Sequence, residues 1–172
     1  KLDIVKKLFP STPVLAMTAS AIPIVQEDMI KQLALKHVEI ITDSFLRPNL
    51  QYSVQKVVVK LHSLRSILSQ TEGSIIIYCG TRNSVTQLTQ LLKAYKFSVE
   101  EYHAGLPIQL RQKVQASWMS NETQIVVCTS AFGMGINKPD VRTVIHYDIP
   151  GSIEQYYQEA GRADQKHCHP RI

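Results

Sequence analysis

Residues 75–82, Ile75-Ile76-Ile77-Tyr78-Cys79-Gly80-Thr81-Arg82, decide how this chain is read. A continuous β-branched run suits a strand buried on both faces, because no polar position alternates with the apolar ones. The run stops at Gly80-Thr81-Arg82, and apolar residues at helical spacing follow from about Asn83 to Tyr95. The unit is therefore a strand, a turn of glycine, hydroxyl and arginine, and a helix. It recurs downstream: strand 98–102, a helix entered at Pro107, strand 124–128, strand 142–147, and a last helix from near Ser152. Upstream of Gly73 the same logic gives a strand over 52–59 and a helix over 62–70. Strands and helices alternating over roughly 30-residue units imply parallel βαβ construction, an α/β sheet with helices on both faces.

Ahead of this block the pattern is shorter. Residues 1–9 have helical spacing, Val14–Met17 reads as a strand running into Thr18-Ala19-Ser20, and a helix starts at Pro23 and runs to about Lys36. Val25, Met29, Ile30 and Leu33 would form its buried face, and Val38–Ile41 reads as a further strand. Arg47-Pro48-Asn49 interrupts regular structure, which places a boundary between residues 1–44 and residues 45–172.

Composition narrows the class. The chain has 172 residues, 44% hydrophobic and 19% charged, which excludes intrinsic disorder for its bulk. Nineteen Lys+Arg against 14 Asp+Glu give a formal charge of +5, too mild to decide between a solvated surface and a polyanion partner. No apolar stretch reaches the ~18 residues a membrane helix needs. Three cysteines, Cys79, Cys128 and Cys168, with no Cys-x-x-Cys pair, fit neither a disulfide framework nor a zinc ribbon and suit a reducing, intracellular compartment. Lys1 stands where a Met would begin an open reading frame, so the sequence reads as a piece of a longer protein.

Right-handed crossovers put every strand's carboxyl end on one edge, where ligands bind. The residues following the strands are Thr18 and Ser20, then Gly80, Thr81 and Arg82, then His103, Ala104 and Gly105, then the loop Thr129-Ser130-Ala131-Phe132-Gly133-Met134-Gly135-Ile136-Asn137. Small hydroxyls and bare amides at helix N-termini are what phosphate groups need. Each piece also has a plainer reading. A Thr before a helix is commonly a cap, glycines serve tight loops, His103 and His146 lack spaced metal partners, and Tyr156-Tyr157 suits packing. No Gly-x-x-x-x-Gly-Lys-Ser/Thr loop occurs, so this stretch does not by itself cradle a nucleoside triphosphate in the P-loop manner.

Several runs together resemble the RecQ family of superfamily 2 DNA helicases. Met17–Ala21 resembles motif III, Phe45–Leu50 the entry into the second RecA-like lobe, and Ile76–Arg82 motif IV. Tyr102–Leu106 with Arg111 resembles the next block, Ala131–Arg142 motif V, and Tyr156–Ala163 motif VI. The resemblance implies a RecA-like parallel sheet, the second helicase lobe, over residues 45–172, preceded by the tail of the first lobe over residues 1–44. It implies a motor that hydrolyses ATP with Mg²⁺, bound mainly by the first lobe, and moves 3′ to 5′ on single-stranded DNA to unwind duplex DNA in repair or recombination. Such a motor works in a nucleus or, in a bacterium, in the cytoplasm and nucleoid.

Carried over by position, Thr81, Arg82, Thr129 and Ser130 would touch the DNA backbone, and Asn137 and Gly135 would lie near the nucleotide. Gln158 and Arg162 would face its phosphates as the catalytic pair, and Thr18 and Ser20 would couple the two sites. The resemblance implies no metal-ligating residue and no zinc site in this chain. The family usually continues Gly-Arg-Ala-Gly-Arg-Asp, whereas Gly161-Arg162-Ala163 is followed here by Asp164-Gln165-Lys166. Asp164 is either the family's Asp after a two-residue deletion or the start of unrelated sequence, and Gln165 cannot supply a guanidinium charge. A second reading is thus a catalytically inactive, DNA-binding or regulatory product. A third, an RNA-translocating relative, conflicts with the DNA-helicase character of the 131–140 block.

Overall fold

The computed structural model describes residues 4, 8–9, 12–18, 22–42, 44, 47–133 and 136–163. The chain divides into two compact units, residues 1–46 and residues 47–172.

In the first unit, helix α1 spans Pro23–Gln32. Pro23 sits in its first turn, where a missing N–H costs nothing. Met29, Ile30 and Leu33 are half-buried, but Val25 is exposed, so the buried face is narrower than its spacing predicts. The helix stops short of Lys36 because Ala34 and His37 take positive φ (51° and 55°), which ends α-helical hydrogen bonding. The strands expected over 14–17 and 38–41 do not form. A strand exists only within a ladder, and neither segment has a ladder partner among the described residues. Leu15 and Ile41, which a sheet would cover, are more than four-fifths exposed. The helix expected over 1–9 falls mostly outside the described residues.

In the second unit residues 52–59, where a strand was expected, lie outside helices and strands. Val54, Val58 and Val59 are exposed there, with no ladder partner among the described residues. The remaining elements follow in βα order: α2 (Lys60–Gln70), β1 (Ser74–Tyr78), α3 (Arg82–Ala94), β2 (Val99–Tyr102), α4 (Ile108–Met119), β3 (Ile125–Cys128), β4 (Val141–His146) and α5 (Ile153–Ala160). The four strands form one sheet in the order β2-β3-β1-β4, every pair parallel.

Burial explains the order. β1 lies inside the sheet and is buried at all five positions, as its unbroken apolar run requires. Ile75 and Ile77 point to one face, where Leu64 and Leu68 of α2 and Val85, Leu88 and Leu92 of α3 cover them. Ile76 and Tyr78 point to the other, against Val114 and Trp118 of α4 and Phe132. The Phe132 ring meets Tyr102 and Trp118 edge-on at 4.7 and 5.3 Å. On the edge strand β2, Lys93 pairs with Glu100 at 2.9 Å and the Thr86 hydroxyl donates to Glu101 at 2.7 Å. Charged side chains of this kind discourage further strand pairing.

At the amino edge of the sheet sits a buried cation. Lys138 is 3% exposed, and its ammonium donates to Asn121 Oδ1 (2.6 Å) and the Met119 carbonyl (3.3 Å). It also pairs with Asp140 at 2.9 Å and lies 5.3 Å from the centre of the Trp118 ring. Burial pushes the Asp140 carboxyl up, but the Lys138 hydrogen bond and charge outweigh it and leave that carboxyl below its ordinary value. Lys138 therefore stitches the segment before β4 to the end of α4.

Candidate functional site

The register sets the carboxyl edge. Tyr78 pairs with Cys128 and with His146, and Cys128 with Tyr102, so these four residues form one row. The loops leaving the row border a cleft of about 350 Å³, lined by Gly80, Thr129 and Ser130 and by Asp148–Gly151, Gln155 and Glu159.

Thr81 caps α3: the Ser84 N–H donates to its Oγ1 at 3.0 Å, and the two hydroxyl oxygens lie 2.8 Å apart. Its helix-capping reading is therefore realised, on an exposed side chain that keeps acceptor capacity. Arg82 is exposed and leans over the next loop, since a Cβ added to Gly105 would meet Arg82 Nη1 at 3.1 Å. His103 is buried beside it, its Nδ1 accepting from the Gly105 N–H at 3.2 Å. The Thr129 N–H donates to Tyr102 O and the Phe132 N–H to Thr129 O, a tight turn that leaves Ser130 exposed at the cleft. Gly80 is fastened to the far wall: its N–H donates to Asp148 Oδ2 at 2.9 Å, and Lys60 donates to Tyr147 O (2.9 Å) and Asp148 Oδ1 (3.4 Å).

Across the cleft α5 is organised by a chain of polar contacts. Ser152 caps it by accepting from the Gln155 N–H at 3.1 Å, and Gln155 Oε1 accepts from the Gly151 N–H at 3.1 Å. Gln155 Nε2 donates to Glu159 Oε1 at 3.0 Å, and Glu159 Oε2 lies 2.9 Å from His146 Nε2. His146 is packed between two rings, stacked 5.5 Å from Tyr78 and tilted 4.9 Å from Tyr156. Tyr156 also packs on Tyr52 at 6.0 Å, so the tyrosine pair opens with a packing residue.

Arg162 lies in the turn that follows α5, its N–H donating to Glu159 O at 3.3 Å. Its guanidinium rests on Gly133: a Cβ there would lie 2.6 Å from Arg162 Cζ, and φ of +111° already requires glycine. Burial raises the Tyr78 phenol above its ordinary value, and the charge and hydrogen bond of Arg162 oppose that rise. Arg162 Nε is buried with no acceptor among the described residues. Burial also pushes the Cys79 thiol up to about 12 and Cys128 well above its usual value, so neither is a thiolate nucleophile near neutrality.

Of the residues singled out by sequence, Thr129 and Ser130 line one cleft with Gly80, while Thr81 and Arg82 stand just beyond it at the start of α3. Asn137 and Gln158 are exposed, and Arg162 sits at the same edge through Tyr78 and Gly133. Thr18 is exposed and belongs to the first unit. Ser20, Gly135 and the divergent Asp164-Gln165 lie outside the described residues. Sequence reading missed the His146–Glu159 contact, since 13 residues separate the two. Its one legible trace is the Ser152-x-x-Gln155 capping spacing with Glu159 a turn later. Among the described residues no group of three or more His, Cys, Asp or Glu is placed to hold a metal ion, and no helix is long and apolar enough to cross a membrane.

Residues 59–166 match the family described as the helicase conserved C-terminal domain. The ATP-dependent DNA helicase RecQ of Haemophilus influenzae is 43% identical over 159 residues, covering 92% of this chain and 26% of its own length. A protein of Acanthamoeba polyphaga mimivirus that carries an ATP-dependent RNA helicase name is 44% identical, covering 92% of this chain and 29% of its own. The chain thus spans between 13% and 29% of the length of these curated relatives. Among solved structures, Saccharomyces cerevisiae Dbp5 bound to RNA and ADP BeF3 shares the fold with a TM-score of 0.78 at 20% identity, over 94% of this chain and 44% of that one. The parallel sheet with helices on both faces is RecA-like.

Proposed function

The chain belongs to the helicase conserved C-terminal domain family in its RecQ form, and from that membership we propose that it is the second motor lobe, with the tail of the first, of an ATP-dependent DNA helicase moving 3′ to 5′. The observation that carries the reading is Arg162. A half-buried guanidinium seated on the Gly133 backbone and on Tyr78 at the ligand-binding edge is a held cation whose remaining N–H groups suit a polyphosphate.

ATP fits these residues as a shared ligand. Arg162 and Gln158 would face its phosphates, and Asn137 with Gly135 would lie near the ribose. When bound, ATP supplies the phosphoanhydride whose cleavage drives movement. Mg²⁺ would be held mainly by the first lobe, as the family resemblance implies. This chain alone, without a P-loop, would not turn ATP over. Thr81, Arg82, Thr129 and Ser130 would hold DNA phosphates, and Thr18 with Ser20 would couple that contact to the nucleotide. The setting would be DNA repair or recombination inside the cell, in keeping with the free Cys79 and Cys128 thiols.

The test is single-stranded DNA binding by this chain against salt. Phosphate contacts release counterions, with a log–log slope of about −0.7 per contact for single strands. The Arg82 contact alone is expected to lower affinity about threefold between 50 and 200 mM salt, and Arg82→Ala to flatten the slope by about 0.7. A salt-insensitive affinity contradicts the site. The RNA helicase name of the mimivirus relative favours one alternative, so a matched RNA strand belongs in the same titration, and tighter binding of RNA overturns the substrate.

A further inference from the structure

We propose that Glu159 and His146 are positioning residues that fix the Arg162 guanidinium over Gly133, and so set the rate of nucleotide cleavage without touching the nucleotide. The inference rests on the nucleotide-facing reading of Arg162 given above.

The Arg162 side chain hydrogen-bonds Tyr78. Its Nε is buried with no acceptor among the described residues, so its place is dictated by what surrounds it. Its backbone hangs on Glu159, whose carbonyl accepts the Arg162 N–H at 3.3 Å. Glu159 in turn is 5% exposed and gripped at both carboxylate oxygens, by Gln155 Nε2 at 3.0 Å and His146 Nε2 at 2.9 Å. His146 cannot swing, being held between the Tyr78 and Tyr156 rings at the end of β4. The sheet therefore fixes His146, His146 fixes Glu159, and Glu159 fixes the turn that carries Arg162.

From the opposite side, Tyr78 donates its hydroxyl to Phe132 O at 3.2 Å, and that carbonyl immediately precedes Gly133. The arginine is thus enclosed between α5 and the 129–133 turn. A buried carboxylate is an uneconomical way to stabilise a helix, because apolar residues of similar volume commonly do as well or better. What Glu159 provides that a leucine would not is a defined orientation. A displacement of about 1 Å of a group facing the reacting phosphate costs on the order of 10² in rate.

The test measures DNA-dependent ATP turnover of the full-length polypeptide carrying Glu159→Leu, Glu159→Gln, Arg162→Ala, or Glu159→Leu with Arg162→Ala. Glu159→Leu keeps the volume but leaves Gln155 and His146 without their partner, so it lowers the melting temperature; assayed well below that temperature, it lowers kcat about 10²-fold and moves KM for ATP by less than about threefold. Glu159→Gln, which can still bridge Gln155 and His146, restores most of kcat. The double variant is no slower than Arg162→Ala alone, since the two act as one unit.

A second readout is independent of turnover. In this 172-residue chain, exchange of the buried Arg162 Nε proton, followed by NMR, quickens more than about tenfold in Glu159→Leu. Unchanged exchange, unchanged kcat, or a double variant slower than either single one overturns the positioning role while leaving the helicase reading intact. An Arg162→Ala protein with normal turnover overturns both.

Discussion

Arg162→Ala in the full-length polypeptide is expected to lower DNA-dependent ATP turnover by about 10³-fold, the lower end of the range for an arginine finger, because the resemblance gives the finger itself to the second arginine of Gly-Arg-Ala-Gly-Arg-Asp and gives Arg162 the phosphoryl group or its neighbour. DNA affinity is expected to hold within about twofold, because the phosphate contacts assigned to Thr81, Arg82 and Ser130 lie on other loops. Arg162→Lys is expected to recover little. An ammonium is a point charge on a flexible stem, whereas the guanidinium lies against the Gly133 backbone and reaches Tyr78. Steady-state turnover with saturating single-stranded DNA makes the measurement. A fall in DNA affinity as large as the fall in kcat would move Arg162 from the nucleotide to the DNA.

The second large effect concerns stability. Lys138→Ala is expected to destabilise the 47–172 unit by about 3 kcal/mol, a large share of the 5–15 kcal/mol that holds a typical domain. The substitution empties the space beside Trp118 and strips Asn121 Oδ1, Met119 O and Asp140 of one donor. Lys138→Met refills the space and is expected to cost about half as much, the remainder being the unpaired acceptors. Urea unfolding of the three proteins measures both differences.

The pH dependence has a definite sign. The Asp140 carboxyl is held below its ordinary value in the folded chain. Its contribution is therefore present above the unfolded carboxylate pKa, near 3.9, and is lost as pH falls through the lower folded value. Lys138→Ala is expected to weaken that acid-side loss. Equal stability of wild type and Lys138→Ala at neutral pH would contradict the buried-cation assignment.

What could be read from sequence, and what could not, follows from the range of the forces involved. β1 was legible because burial on both faces leaves no alternation, and Ile75–Tyr78 shows none. The helices of the 47–172 unit were legible within a residue or two from caps and spacing, Thr81 and Ser152 being realised as N-caps, whereas the helix from Pro23 ends four residues before its expected end. The segments over 14–17, 38–41 and 52–59 carry the same β-branched character but have no ladder partner among the described residues. Propensity alone does not make a strand, because pairing is a tertiary event.

The site divides the same way. Hydroxyls and glycines after each strand could be placed on one edge from topology alone. The seat of Arg162 on Gly133 and the grip of His146 on Glu159 join residues 13 to 29 positions apart, and no local pattern encodes them. Lys138 is a further instance. Its Asn-Lys-Pro-Asp run carries no mark of burial, yet it is among the most buried polar residues described.

The central claim is a DNA motor, and strand separation by the full-length polypeptide tests it most directly. Two partial duplexes are compared, one with a 3′ single-stranded tail and one with a 5′ tail, each with and without ATP and Mg²⁺, beside matched RNA duplexes. The account expects ATP-dependent unwinding of the 3′-tailed DNA, little of the 5′-tailed DNA or the RNA, and none with Arg162→Ala. DNA binding without any ATP-dependent unwinding would contradict it and leave a non-catalytic binding role for the chain.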